Sequence, residues 1–501
     1  MAVHIPIRLI MPLLLLMLAG TISATQGQKK NAPPKPDDPA RVEQKNDNAE
    51  EAGAGERGKK NAGKDKALIN EPPSADDSDE SLDEQKDARF KFKGQVKNLF
   101  TFHETDNFIE DNPLSTVHKD LIADLTRIRL SPEFLYKDIL SIRVDYDNEL
   151  IASNYGNSLY FKSYWRTSQY NDFLHLSWEP YRGDEVYYRT KIHRAYIKVN
   201  VDHFTATVGR QQIRFGSGKL WNPLDILNPI SPTFVEGGDD QKGTDAVKLD
   251  FFPDDKTEIS FVYDLKKSDN KIDKFNMGDC NYIIRAKTSI KDTDLALLGG
   301  YVTRRWTGGF DFAAILFDGM LRGSMIVTQA PSPYFKPEDS RYYWKYLLTT
   351  KNECFPVYFQ ANVGYEYTFK AGVYFLAEYF YNQRALNYNK DLKLAGLSSQ
   401  LNAMDQGTYL QIANQFLTTN QHYVAVALGY DFHPLVRGEL FAIGDIQGQG
   451  IFWSPALKIN AYENLDFTVG AMGAFVIGNK ASDFSEFRKN YLFYASGSYV
   501  F

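Results

Sequence analysis

The sequence predicts an all-β chain, a transmembrane antiparallel β-barrel of about 18 strands, with 16 as the alternative count. Three observations predict it. From residue 89 onward, short segments alternate apolar and polar side chains with a period of two, which sends each set to its own face of a strand. Tight turns alternate along the chain with long connections, the polarity a membrane barrel needs between its two rims. Aromatic residues are abundant, 31 Tyr and 34 Phe, and many sit near strand ends, where rings favour a membrane interface.

The alternation is plain in several places. Ile142, Val144 and Tyr146 alternate with Ser141, Arg143, Asp145 and Asp147. Ala195, Ile197 and Val199 alternate with Arg194, Tyr196 and Lys198, and Val247 and Leu249 with Ala246, Lys248 and Asp250. Tight connections are expected at Asp202-His203, 253–256, 291–293, Asp318-Gly319 and His433-Pro434, and longer ones at about 104–118, 152–188, 266–280, 331–353, 384–406 and 477–487. In the last strand Tyr491, Phe493, Ala495, Gly497, Tyr499 and Phe501 share one face. An alternating strand closed by an aromatic residue resembles the assembly signal of bacterial outer-membrane barrels. It implies outer-membrane lipid as the surroundings, and barrel-assembly machinery as a partner acting on the strand that ends at Phe501.

Three regions are distinguished. Residues 1–24 read as a secretory signal peptide, with Arg8 before an apolar run from Leu9 to Ala19 and small residues from Gly20 to Ala24. Residues 25–88 form a charged linker with 11 basic and 16 acidic side chains and no aromatic residue. Such a composition cannot bury enough apolar surface to offset its ordering entropy. It is expected to be a disordered tether in the periplasm, with docking to a periplasmic partner as the functional alternative. Residues 89–501 form the barrel and hold 45 basic and 47 acidic residues, a balance that gives no basic field for nucleic acid. Mean hydropathy is −0.41, and no second apolar run reaches helical-span length, which leaves strands as the way across a bilayer. Cys280 and Cys354 could pair or stay apart; the sequence alone leaves both open.

Residues 209–250 interrupt the strand pattern. Gly216, Gly218, Pro223, Pro229, Pro232, Gly237 and Gly238 exclude a long helix or strand. Leu220, Trp221, Leu224, Ile226, Leu227, Ile230 and Phe234 are more apolar surface than a solvated loop carries. Residues 213–243 are therefore expected to fold into the pore as a plug or constriction. Arg210 and Arg214 flank it and are expected to anchor it by pairing with Asp225, Glu236, Asp239 or Asp240.

The run Val208-Gly209-Arg210-Gln211-Gln212, then Phe215-Gly216, Trp221-Asn222-Pro223 and Gly243-Thr244-Asp245-Ala246, resembles alginate-export-type outer-membrane porins of Gram-negative bacteria. Glu378-Tyr379-Phe380-Tyr381-Asn382 and the stretch from Asp483 into the last strand are similar too. The resemblance covers about 89–501 and implies a porin fold in the outer membrane. The expected function is a channel for small polar or anionic solutes or a polysaccharide. The alternatives are a barrel sheathing a periplasmic multihaem cytochrome and, third, a barrel-embedded hydrolase. Inward-facing candidates for the pore lining are Arg127, Arg129, Arg143, Arg194, Lys198, Lys248, Arg285, Lys287 and Arg437. Such charges either raise the local anion concentration or pair with acidic residues across strands. His103, His118, His175, His193, His203, His422 and His433 are scattered and lie in no nucleophile motif. The chain is therefore not expected to be an enzyme, and no cofactor or metal is expected.

Overall fold

The computed structural model describes residues 87–108, 117–158, 161, 173–227, 243–266, 280–302, 305–329, 357–383, 385, 418–477, 481–485 and 491–501. The chain divides into two compact units, Met1–Ser74 and Ala75–Phe501, and all described residues belong to the second. The expected signal peptide and nearly all of the tether therefore lie outside the described residues, as does Cys354 of the cysteine pair.

Among the described residues nineteen strands are present. The first are β1 (Ala88–Phe108), β2 (Val117–Tyr136), β3 (Leu140–Ser153), a short β4 (Ser177–Arg182), β5 (Val186–Val201) and β6 (Phe204–Gln211). They are followed by β7 (Thr244–Asp254), β8 (Thr257–Asp264), β9 (Asn281–Ile290), β10 (Thr293–Val302), β11 (Arg305–Leu316) and β12 (Gly319–Gln329). The last are β13 (Val357–Thr368), β14 (Val373–Asn382), β15 (His422–His433), β16 (Val436–Asp445), β17 (Gly450–Tyr462), β18 (Leu465–Val476) and β19 (Tyr491–Val500).

Every strand pairs antiparallel with its neighbour in sequence, except that β3 passes over β4 to pair with β5. β4 lies along the other edge of β5, beyond the point where β6 has ended, so it adds no step to the ring. β1 pairs with both β2 and β19, and the sheet closes as an 18-stranded barrel. Closure removes the open strand edges that a bilayer cannot satisfy.

The burial pattern is inside-out for a protein in water. Asp147, Glu149 and Asp264 are 0% exposed, whereas Leu297 is 63% exposed and Trp306 67%. The outward faces of β5 to β19 form a belt of apolar side chains, and the inward faces carry the charges. Large exposed rings edge the belt at the rim with the tight turns, including Phe90, Phe204, Phe317, Phe432, Tyr462 and Phe501. Such a belt suits hydrocarbon and would be an aggregation surface in water. The tight turns use left-handed backbone at Asp202 (φ 43°), Lys291 (φ 53°), Phe317 (φ 50°) and Asp318 (φ 59°). That handedness matches the twist of hairpin strands.

The seam between β1 and β19 is closed by Phe501. Gly94 and Phe501 exchange backbone hydrogen bonds of 2.8 and 2.9 Å, and the ring of Phe501 occupies the space a Cβ at Gly94 would need. The expected face of the last strand, Tyr491 to Phe501 at alternate positions, is the outward one.

Candidate functional site

β6 ends at Gln211 because its side-chain amide turns back onto the backbone: Nε2 donates to the carbonyls of Thr207 and Ala246, both at 3.1 Å. The chain then leaves the wall and runs through 212–227 without regular structure. Ile213, Phe215, Leu224, Ile226 and Leu227 bury against inward residues of β7, β8, β9, β10 and β12, among them Ala246, Val262, Ile283, Leu298 and Ile326. Leu224 lies against Gly309, where a Cβ would come within 2.2 Å of it. Gly216 adopts φ 88°, a conformation that glycine reaches without steric cost.

Trp221 carries the segment to the far wall. It stacks on Phe380 of β14 at 5.3 Å and 12° and leans on Tyr423 of β15 at 6.2 Å. Buried Glu378 of β14 receives the adjoining backbone: Trp221 N donates to Oε1 at 2.7 Å, and Lys219 N and Leu220 N approach Oε2 at 3.2 and 3.4 Å. Ser217 Oγ donates to the Phe312 carbonyl at 3.0 Å. β14 is eight places round the ring from β6, nearly opposite in a ring of 18. The segment thus lines almost half of the inner wall. Of the residues 213–243 expected to fold into the pore, 213–227 lie against the inner wall and 228–242 lie outside the described residues.

A second inward piece was not legible in the sequence. Residues 418–420 and 481–485 pack beside Trp221, with Phe484 in the same buried cluster. Asp483 ties them together, accepting from Thr419 N at 2.8 Å and Tyr423 Oη at 2.5 Å. Asn420 Nδ2 bridges Asp445 Oδ2 and the Ala481 carbonyl at 2.7 and 2.8 Å.

The expected anchors divide. Arg214 does approach Asp225, at 3.8 Å. Among the described residues Arg210 finds its partners on the wall and not in the segment. The β6–β7 register sets it opposite Asp245, and it forms a bidentate pair there at 2.8 Å with a further bond to the Leu174 carbonyl at 2.7 Å. A partner fixed by the ladder wins over one that would require the loop to reach back. Glu236, Asp239 and Asp240 lie outside the described residues.

All the pore-lining candidates fall on the inward parity of their strands, and most are paired. On β2, β3 and β5 they form a charge ladder. Glu149 takes Arg127 Nε at 2.8 Å, Arg189 Nε at 2.8 Å and Lys191 Nζ at 2.7 Å. Asp147 takes Arg129 at 2.6 and 2.8 Å, and Asp145 takes Arg143 Nε at 3.0 Å with Arg194 at 4.0 Å. Among the described residues this sets six cations against Asp145, Asp147 and Glu149, with Glu133 beyond them beside Ser141. Arg127 is 3% exposed, too enclosed to meet a solute, while the Arg143 and Arg194 side chains are 34% and 20% exposed. Elsewhere the charges balance more closely. Lys248 meets Asp250 at 2.9 Å and Lys287 meets Asp294 at 2.9 Å, while Arg437 meets Glu439 and Asp431 at 3.0 Å. Arg285 lies over the Phe215 ring at 5.6 Å and near Asp311 at 3.8 Å, and Lys198 shares its inward face with Thr207. Replacing Glu149 by Ala removes the acceptor shared by three cations. Breaking a buried pair costs about 3–5 kcal/mol, so the variant barrel is expected to lose its unheated gel mobility at a clearly lower urea concentration. An unchanged midpoint would show that the ladder is structurally idle.

At the long-loop rim, Glu104, His118 and Asp120 place ligand-type atoms within 4.8 Å of one another, a group that the scattered histidines did not suggest. His118 Nδ1 sits 2.8 Å from Asp106 Oδ1. The hydrogen bond to Asp106 raises the imidazole pKa above its ordinary value, and Asp120 and Glu104 add to this. The stabilisation of this hairpin tip is full below the ordinary histidine range and lost as pH rises through the raised value. NMR titration of His118 is expected to show that elevation, and Asp106→Asn is expected to remove most of it.

No family model matches the chain, and no curated protein matches it. Among solved structures its fold is similar to OccK5 (OpdH) of Pseudomonas aeruginosa, at 9% identity over 82% of this chain and 98% of that one, with a TM-score of 0.45. It is similar to OccAB1 of Acinetobacter baumannii, at 9% identity over 82% and 96%, TM-score 0.47. It is also similar to OpdK of Pseudomonas aeruginosa, solved with vanillate, at 10% identity over 82% and 98%, TM-score 0.46. Likenesses this distant do not transfer a solute.

Proposed function

We propose that the chain is an outer-membrane channel for small polar solutes, with a bias toward anions, and that residues 212–227 set its narrowest part. The observation that carries this reading is a segment pinned by side chains and backbone to the inner wall of a closed ring. A lumen partly filled by its own chain passes small solutes and excludes large ones. The anion bias rests on the ladder of β2, β3 and β5, whose partly exposed members are Arg143 and Arg194. Fixed cations beside a pore lower the barrier for anions and raise it for cations.

The same filled lumen weighs against a sheath for a threaded cytochrome, because the segment occupies the space such a partner would need. A polysaccharide cargo, and with it an alginate-export-type relationship, rests on the motifs from Val208 to Ala246 and 378–382 alone. The linker at 25–88 is read as a periplasmic tether, and the strand ending at Phe501 as the handle for barrel assembly.

The test is a reversal potential across a planar bilayer under a salt gradient. The expected result is an open channel that prefers chloride to potassium, with a preference that falls several-fold when Arg143 and Arg194 are both changed to Gln. A cation-selective channel, or selectivity unmoved by the double change, would overturn the anion bias. No conductance from a folded, inserted barrel would overturn the channel itself.

A further inference from the structure

One wedge of the outward belt is polar. Asn98 on β1 and Asp124 and Thr126 on β2 share the outward parity of Phe100, Ile122 and Ile128, which are exposed. Asn98 Nδ2 donates to Asp124 Oδ1 at 2.8 Å and to Thr126 Oγ1 at 3.0 Å, and Thr126 Oγ1 lies 3.5 Å from the same carboxylate oxygen. The polarity continues sideways. Asn148 on β3 faces outward and accepts from Tyr188 Oη of β5 at 2.9 Å, with Thr190 as its ladder partner.

The height of this cluster matters. Asn98 pairs with Gly497, four residues above the Gly94–Phe501 contact and four below the Phe102–Phe493 pair, whose rings lie 6.5 Å apart. At about 2.5 Å of height per residue in a tilted strand, the carboxylate sits near the middle of the apolar belt. Elsewhere round the ring, exposed outward residues of the belt are apolar, as at Leu249, Ile284, Leu297, Val363, Leu440 and Val469. A carboxylic acid facing hydrocarbon is unfavourable, and intramembrane ionisable groups are retained where something covers them.

The surroundings favour a close-packed protein partner. Gly497 lies opposite Asn98, Ala495 opposite Phe100, and Ala152 opposite Asp124, and small residues beside polar ones let two membrane surfaces approach and hydrogen-bond. The wedge is also complementary to itself. Among the described residues no hydrogen bond reaches Asp124 Oδ2 or Asn98 Oδ1; both Asn98 amide hydrogens are used inside the wedge, and the acid form of Asp124 supplies the donor, Oδ2–H, for an acceptor on the other copy. An isologous contact can therefore satisfy the same groups on both sides.

We propose that this wedge, centred on Asn98, Asp124 and Thr126, is the surface by which a second copy of the chain associates within the bilayer. It rests on the reading that the barrel spans a membrane, and the experiment separates the two. The full chain is reconstituted in vesicles with a photo-crosslinking residue in place of Leu150, which faces outward beside Thr126. A matched variant carries it at Leu297. Heat-modifiable gel mobility and protection from external protease report folding and insertion in the same samples.

The expected result is an adduct of twice the chain mass from position 150 and none from 297. In a background of Asn98→Leu and Asp124→Leu the adduct is expected to fall at least tenfold, with folding and insertion unchanged. An adduct to lipid alone, none from a folded and inserted barrel, or one that survives the double change would each overturn the interface. A barrel that folds but does not insert would overturn the membrane reading and the interface with it.

Discussion

Replacing residues 213–227 by a short Gly-Ser bridge is expected to raise single-channel conductance several-fold. The segment fills one side of the lumen, and its six buried apolar side chains hold no part of the strand ladder. The ring closes through β1–β2 and β1–β19 without it, so the barrel is expected to assemble and keep its unheated gel mobility. Selectivity should fall less than conductance rises, because Arg143 and Arg194 remain on the wall. The exposed wall of Ala246, Val262, Ile283, Leu298 and Ile326 would then face water, and some loss of stability should follow. The measurement is conductance in symmetrical salt beside that of the parent chain. Equal conductances would mean that the narrowest point lies elsewhere, with the piece around Asp483 as the next element to remove.

Glu378→Ala is expected to loosen the same segment without removing it. Three backbone N–H groups point at this one carboxylate, and it is 2% exposed. A buried donor left without an acceptor costs about 1–3 kcal/mol. The shortest bond, from Trp221 N, should carry most of the loss, since the other two are long. A total of about 3–5 kcal/mol is enough to detach a loop held otherwise by packing and by the Ser217 bond to the Phe312 carbonyl. The expected outcome is a noisy channel with frequent transitions to a higher level, and proteolytic cutting within 212–227. The melting of the strands should change little. Glu378→Gln should fall between, because it keeps one acceptor oxygen and turns an amide toward the remaining donors. A quiet, uncut channel in the alanine variant would show that Trp221 and the apolar contacts hold the segment unaided.

Much of this architecture was legible from period alone. The inward parity of Arg143, Arg194, Lys248 and Lys287 follows from alternation within a strand. So does the outward face of Tyr491 to Phe501, and the turns at 202–203 and 291–292 follow from the breaks between strands. The insertion was legible because glycines and prolines stood among Trp221, Leu224 and Ile226, a mixture that neither a strand nor a solvated loop carries. What holds it was not. Glu378 is 157 positions from Trp221, and only the curvature of a closed ring brings the two together. Arg210 was assigned to the nearest acidic residues in sequence, when the ladder had already placed Asp245 across from it. β4 and the piece at 481–485 escaped for a related reason, since their partners are set by loops that return to the wall. Asp124 shows the limit of parity from the other side. Arg127 and Arg129 mark the inward face of β2, so Asp124 and Thr126 had to point outward, but a carboxylate there gains meaning only once its height in the belt is known.

The contact between Gly94 and Phe501 has a consequence for how the ring comes into being. Gln95 and Ser498 meet across this seam although they are 403 positions apart, so it is the contact with the greatest loop-closure entropy against it. Hairpins such as β7–β8 or β11–β12 can form from neighbouring chain. The seam can form only when the sheet has curled through its full circumference. Until then β1 and β19 each present a row of unsatisfied N–H and C=O groups, which hydrocarbon does not tolerate and other chains readily pair with. Assembly is thus all-or-nothing in its last step. The two edges that most need shielding on the way to the bilayer are the ones that finally shield each other.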